Sequence, residues 1–301
     1  MSEKVRGSTP AESDLVESVI DLALMEAVVE LSIRAGEKIL EVYQQDNFTV
    51  ETKEDDSPLT AADLASNRVL VEGLQRLTPT IPVLSEEAEV PDFSERSSWS
   101  RYWIIDPLDG TKEFVKRSGE FTVNVALIEN HVPILGVVYV PVTQLTYCGL
   151  LGAGAWRRDD KGECVITTRS MGDRGAHVER PVEVVASRSH GAAAVDQWLS
   201  ALERRVNHIA LCNMGSSLKL CLVAEGAADV YPRLAPTCEW DTAAAQAVVE
   251  AAGGKVVKGD MSMLRYNTRA EVLNPHFYVL GDSEFPWAEI IAEGQRGTET
   301  S

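Results

Sequence analysis

The sequence has 301 residues, 45% hydrophobic and 25% charged, enough apolar material for a large core in one compact unit or two tightly joined halves. Its 46 acidic and 28 basic residues leave a formal net charge of −18, which repels nucleic acid and opposes simple electrostatic binding to anionic lipid. No stretch has the uninterrupted apolar length of a membrane span, and the polar start Met1-Ser2-Glu3-Lys4 does not fit a signal or transit peptide.

Residues 1–12 read as a mobile tail. A helix follows, because Leu24, Val28, Leu31, Ala35, Ile39 and Val42 recur at intervals of three and four. The charged stretch Lys53-Glu54-Asp55-Asp56-Ser57-Pro58 reads as a loop into a second helix with Leu70, Leu74 and Leu77 on one face. Pro82-Val83-Leu84 and Tyr102-Trp103-Ile104-Ile105 read as strands that each end at a carboxylate. Thr122 to Glu129 and Pro133 to Val140 predict a hairpin across Asn130-His131, with short strands continuing to about residue 168. Arg169 to Glu179 reads as a mobile loop between halves.

From residue 182 strands and helices alternate. Strands are expected over 182–186, 206–211 and 227–231, and helices over 192–202, 216–224 and 241–252, the last closed by Gly253-Gly254. The order predicts layered α/β sandwiches with one sheet in each half: 13–180 holding most of the acidic site, and 181–301 completing it. The five cysteines form no CxxC pair and read as reduced thiols of a cytoplasmic enzyme.

The densest chemistry is Asp106-Pro107-Leu108-Asp109-Gly110-Thr111, where a buried strand supplies two carboxylates, a turn and a hydroxyl within six residues. Two carboxylates three apart can converge on a hard cation such as Mg²⁺, and N–H groups of Gly110 and Thr111 at a helix start would face a phosphate. The same string also suits an ordinary type I turn. Glu86 and Glu87 after a strand, Asp241 after Trp240, and Thr60 with Asp63 likewise have plain readings as a solvated loop, a helix cap and a capping box.

Together, Lys53-x-Asp55-x-Ser57-Pro58-Leu59-Thr60-x-Ala62-Asp63, Ser85-Glu86-Glu87, Asp106 to Thr111 and Trp240-Asp241-Thr242-Ala243 resemble, in order, the inositol monophosphatase superfamily over about residues 20–285. Gly110 to Phe114, Ser187 to His190, Gly215 to Lys219, Tyr231-Pro232-Arg233 and Leu273-Asn274-Pro275 resemble more closely its 3′(2′),5′-bisphosphate nucleotidases of bacterial sulfur assimilation.

The resemblance implies the αβαβα sandwich of the inositol monophosphatase and fructose-1,6-bisphosphatase type. It also implies hydrolysis of 3′-phosphoadenosine 5′-phosphate, and of its sulfated analogue, by two or three Mg²⁺ ions. Metal ligands would be Glu86, Asp106, the Leu108 carbonyl, Asp109 and Asp241, with Thr111 holding the attacking water and Asp63 receiving its proton. Gly110, Thr111, His190, Ser216, Lys219, Arg233, Asp241 and Glu86 would contact the substrate, a small phosphorylated nucleotide. Lithium sensitivity and a cytoplasmic place, or loose attachment at the inner membrane, follow from the same resemblance. The alternatives are an inositol- or sugar-phosphate phosphatase with the same metal cluster, and a non-catalytic metal- or nucleotide-binding regulator. The oligomeric state is left open.

Overall fold

The computed structural model describes residues 20–45, 50–52, 58–172, 180–186, 192–206 and 208–296. The predicted tail, Lys53, Asp55, Ser57, residues 173–179 and His190 lie outside them. In chain order the elements are α1 (Leu22–Tyr43), β1 (Val50–Thr52), β2 (Pro58–Thr60), α2 (Ala61–Leu77), β3 (Val83–Ser85), α3 (Phe93–Arg96), β4 (Arg101–Asp109) and α4 (Thr111–Val115). Five strands follow: β5 (Thr122–Glu129), β6 (Val132–Val140), β7 (Leu145–Leu150), β8 (Gly154–Asp159) and β9 (Gly162–Ile166). Next come β10 (Val182–Ala186), α5 (Ala192–Glu203), β11 (Ile209–Asn213), α6 (Leu218–Ala224) and β12 (Val230–Arg233). The chain closes with α7 (Ala243–Ala251), β13 (Lys255–Lys258), β14 (Phe277–Leu280) and α8 (Trp287–Arg296).

Strands β3 to β9 form a seven-stranded sheet in sequence order, antiparallel except for the β3–β4 pair. A five-stranded sheet runs β11-β10-β12-β14-β13, with β11, β10 and β12 parallel. Alternation along the strands sorts side chains into separate cores. Trp103, Ile105, Val125 and Leu127 pack with α1 and α2, whereas Tyr102, Ile104, Ala126 and Ile128 face α6 and α7. On the far side of the second sheet, Val184, Val230 and Tyr278 meet Trp198 of α5 and Trp287 of α8. The layers are therefore αβαβα, as predicted.

Helix α1 buries Leu24, Val28, Leu31, Ala35 and Ile39, and Asp21 caps it by accepting from the Leu24 N–H at 3.0 Å. The predicted hairpin is present, with Asn130 and His131 both at positive φ (49° and 70°), as a two-residue hairpin turn requires. Several boundaries differ from the sequence reading. Leu77 is 40% exposed at the end of α2, so only Leu70 and Leu74 hold the predicted buried face. The strand expected at 206–211 starts later because it is a sheet edge with Leu211 turned to solvent, and the one expected at 227–231 is Val230–Arg233. The helix expected from Asp241 begins instead as a 3₁₀ turn, Glu239–Asp241, because the Asp241 carboxylate accepts from the Cys238 N–H at 2.9 Å. Arg169 and Met171, read as mobile loop, are anchored: Arg169 pairs with Asp229, and the Met171 N–H donates to Asp282 at 2.6 Å.

Gly136 and Gly149 are cross-strand partners on β6 and β7, and the alanine-rich α7 lies directly on them. A Cβ at Gly136 would stand 2.1 Å from the Ala244 carbonyl oxygen, which the helix cannot move. Gly136→Ala is expected to destabilise the protein by about 3 kcal/mol or more through overpacking, read as a lower denaturation midpoint.

Candidate active site

The site begins where β4 loses its regular ladder. Pro107 has no N–H to give, and the pairing of β4 with β5 shifts register between Asp106 and Asp109. Asp106 stays opposite Asn124 and Asp109 opposite Thr122. The Leu108 N–H donates back to Asp106 Oδ1 at 3.0 Å, and Ser66 donates to the Pro107 carbonyl at 2.7 Å, holding the irregular segment against α2. Gly110 then takes φ +93°, a left-handed conformation suited to glycine, and its carbonyl accepts from Phe114 to open α4.

Glu86 follows β3, the parallel neighbour of β4, and Asp241 closes the 3₁₀ turn before α7. Among the described residues, Glu86, Asp106 and Asp241 offer oxygens that all lie within 4.8 Å of one another. Burial pushes the Asp106 carboxyl well above its usual range, and the neighbouring Glu86, Asp109 and Asp241 push it further. Burial and the Asp109 charge likewise push Asp241 up to about 8. An all-oxygen set whose members repel one another fits a hard divalent cation, which would cancel that repulsion. Asp109 stands beside the trio, and its Oδ2 is occupied by protein donors: the Ser217 N–H at 2.5 Å and, at 3.4 Å each, Thr122 and Asn124.

Asp63 completes the predicted capping box and also faces Thr111. Its Oδ2 accepts from the Thr60 N–H (2.8 Å) and hydroxyl (2.6 Å) as a capping box, while its Oδ1 lies 3.4 Å from the Thr111 hydroxyl. Thr111 is equally 3.4 Å from the Leu108 carbonyl.

A cavity of about 520 Å³ opens beside this cluster, lined by Asp109, Gly110 and Asp241 and, from the region of the second sheet, by Ser216, Lys219 and Arg233. Lys219 is 9% exposed, donates to the Ser216 carbonyl at 2.7 Å and lies over the Tyr231 ring. Burial lowers its pKa, against the pull of Asp109. Arg233 donates to the Pro236 carbonyl at 2.8 Å, and its Nε, like the Ser216 hydroxyl, is buried without a hydrogen-bond partner among the described residues. The structure thus brings together every predicted site residue it describes. It adds Lys112 and Lys116 of the α4 segment to the cavity wall, four residues apart just after the Asp109-Gly110-Thr111 turn, a spacing visible in the sequence.

Residues 21–288 match the model of the inositol monophosphatase family. The chain belongs to the inositol monophosphatase family. Within this family it is 47% identical over 257 residues to the 3′(2′),5′-bisphosphate nucleotidase CysQ of Salmonella typhimurium, covering 85% of this chain and 99% of that one. The CysQ of Buchnera aphidicola is 40% identical, covering 85% and 92% of the two chains. The crystal structure of CysQ from Bacteroides thetaiotaomicron, a bacterial member of the family, superposes with a TM-score of 0.76 at 39% identity, covering 87% of this chain and 98% of that one. An inositol monophosphatase from Thermotoga maritima shares the fold, with a TM-score of 0.71 at 22% identity over 93% and 99% of the chains. No helix among the described residues is long and apolar enough to cross a membrane.

Proposed function

We propose that this chain is a Mg²⁺-dependent phosphomonoesterase that converts 3′-phosphoadenosine 5′-phosphate to AMP and phosphate, and its sulfated analogue to adenylyl sulfate. What carries the reading is the pairing of two unlike surfaces in one cavity: the carboxylates around Asp106 on one side, and Lys219 with Arg233 on the other. A substrate with two phosphates has one for each, and CysQ relatives carry the matching name. His190, outside the described residues, belongs to the same proposed set of nucleotide contacts. Residues 13–180 and 181–301 are read as the two halves that meet at this cavity, and the unpaired cysteines fit a cytoplasmic location.

Two or three Mg²⁺ ions, held by Glu86, Asp106, the Leu108 carbonyl, Asp109 and Asp241, would supply the charge that acidifies water and neutralises phosphoryl oxygens. The chain's own part is proton handling and orientation. Asp63 Oδ2 accepts from Thr60, and Oδ1 is the oxygen that faces the Thr111 hydroxyl and would receive its proton. With that proton aimed at Asp63, a lone pair of Thr111 Oγ1 is left to accept from water, giving a path from water to Thr111 to Asp63. Gly110 and Thr111 at the start of α4 face the scissile phosphate. Lys219, fixed by the Ser216 carbonyl, and Arg233 hold the phosphate that is retained.

Phosphate release from 3′-phosphoadenosine 5′-phosphate and from inositol 1-phosphate, with and without Mg²⁺, tests the reading. Expected is metal-dependent release with kcat/KM on the order of 100-fold in favour of the nucleotide, because a site built for a second anion is left unpaired by a ligand without one. Preference for the inositol ester would overturn the substrate assignment and keep the phosphatase.

A further inference from the structure

Ser217 has no role in the scheme above, yet the end of β4, the start of β5 and the loop before α6 meet at it. It is 2% exposed. Its N–H donates to Asp109 Oδ2 at 2.5 Å, its Oγ lies 2.9 Å from Thr122 Oγ1, and the same Oγ donates to Asn124 Oδ1 at 2.9 Å. Thr122 and Asn124 both reach the same Asp109 oxygen.

The polarity of these bonds is fixed by chemistry. A carboxylate only accepts, so Asn124 must turn its Nδ2 toward Asp109, which leaves its Oδ1 facing away and in need of a donor. The Ser217 hydroxyl is that donor, and it therefore sets the sense of the amide. With Oδ2 engaged by the Ser217 N–H and the Asn124 amide, and the Thr122 proton spent on the Ser217 oxygen, Oδ1 is the oxygen of Asp109 that would face a cation. The same loop is pinned again by the Gly215 N–H, which donates to Glu120 at 2.9 Å, and it holds Lys219 through the Ser216 carbonyl.

We propose that Ser217 is a positioning residue that fixes the Asp109 carboxylate for cation binding through one oxygen and ties it to the loop that holds Lys219. The proposal rests on the reading of Asp109 as a metal ligand. Outer partners of ligating carboxylates act in this way, orienting the ligand without touching the ion.

Titration calorimetry of wild type and Ser217→Ala with Mg²⁺ alone tests it. Expected is about a 10-fold weaker affinity in the variant, with the metal-free melting temperature lowered by a few degrees because the buried Asn124 Oδ1 loses its donor. Ser217→Thr, which keeps the hydroxyl, is expected to bind within about threefold of wild type. Asn124→Ala should lose at least as much as Ser217→Ala, since it also removes the bond from Asn124 to Asp109, and the double variant no more than Asn124→Ala, because the Ser217 hydroxyl acts through Asn124. Unchanged Mg²⁺ affinity in Ser217→Ala, or losses that multiply in the double variant, overturn the proposal. Should Ser217→Ala not fold, Asn124→Ala, which removes the acceptor of the Ser217 hydroxyl, carries the test, and unchanged Mg²⁺ affinity there overturns the proposal equally. A wild type that binds Mg²⁺ but does not hydrolyse the nucleotide overturns the substrate reading only, since the calorimetry contains no substrate.

Discussion

Asp106→Asn is expected to lower kcat by about three orders of magnitude or more, while the metal-free variant melts at a higher temperature than wild type. The two effects share one cause. Asp106 is 1% exposed and is pressed by Glu86, Asp109 and Asp241 as well as by its own burial. Without a cation the folded state carries that repulsion, and removing one negative charge relieves about 1 kcal/mol of it. Asparagine matches the shape, and its carbonyl oxygen can still accept the Leu108 N–H that forms the turn, so the local backbone survives. What disappears is an anionic ligand, and with it the stabilisation that Mg²⁺ confers by binding only the folded state. Melting curves with and without Mg²⁺, beside turnover of the nucleotide, separate the terms. Wild type should rise strongly with Mg²⁺ and the variant hardly at all. Near-normal turnover would remove Asp106 from the metal site, and a lower metal-free melting temperature would show that the predicted repulsion does not govern stability.

The same carboxylates show how far the sequence could be read. The layer order and the convergence of residues 86, 106 and 241 were legible because motif, strand end and helix start coincide in each segment. Asp63 was ambiguous between cap and site in the sequence, and the structure puts one oxygen in the capping box and the other 3.4 Å from the Thr111 hydroxyl. Less legible was anything fixed by closure between distant segments. The Ser217 bond to Asp109 spans 108 positions, and no local pattern announces it. Boundaries slipped for a related reason. Strand β11 is an edge whose Leu211 is 56% exposed, so hydrophobicity did not mark its limits. The start of α7 was displaced because Asp241 bonds its own backbone and tightens the preceding turn.

Asp229 carries a large stability effect expected away from the cavity. It is fully buried at the start of β12, and its carboxylate accepts from Arg169 (2.8 and 2.6 Å), from Arg180 (3.1 and 3.2 Å) and from the Glu183 N–H of β10 (2.8 Å). Its backbone bonds Glu183 on one side and Gly281 on the other, so three chain segments of the second sheet region depend on it. Burial alone would raise its pKa, but the two guanidinium groups and the N–H outweigh burial and hold it below the usual carboxylate range. Asp229→Asn keeps the size and leaves both arginines without their anion, an expected loss of about 2–4 kcal/mol, moderated because the arginines are partly exposed. The sign of the pH dependence follows from the depressed pKa. The ion pairs stabilise fully above the unfolded-state value of about 3.9 and are lost as pH falls through the lower folded value. The gap between wild type and variant in denaturant midpoint should therefore be constant from neutral pH to about pH 5, then close as acid protonates Asp229. Mg²⁺ affinity should be unchanged throughout, because none of these partners belongs to the acidic cluster. A gap that widens in acid would contradict the depressed pKa, and no gap at neutral pH would mean that the arginines are satisfied equally well by water.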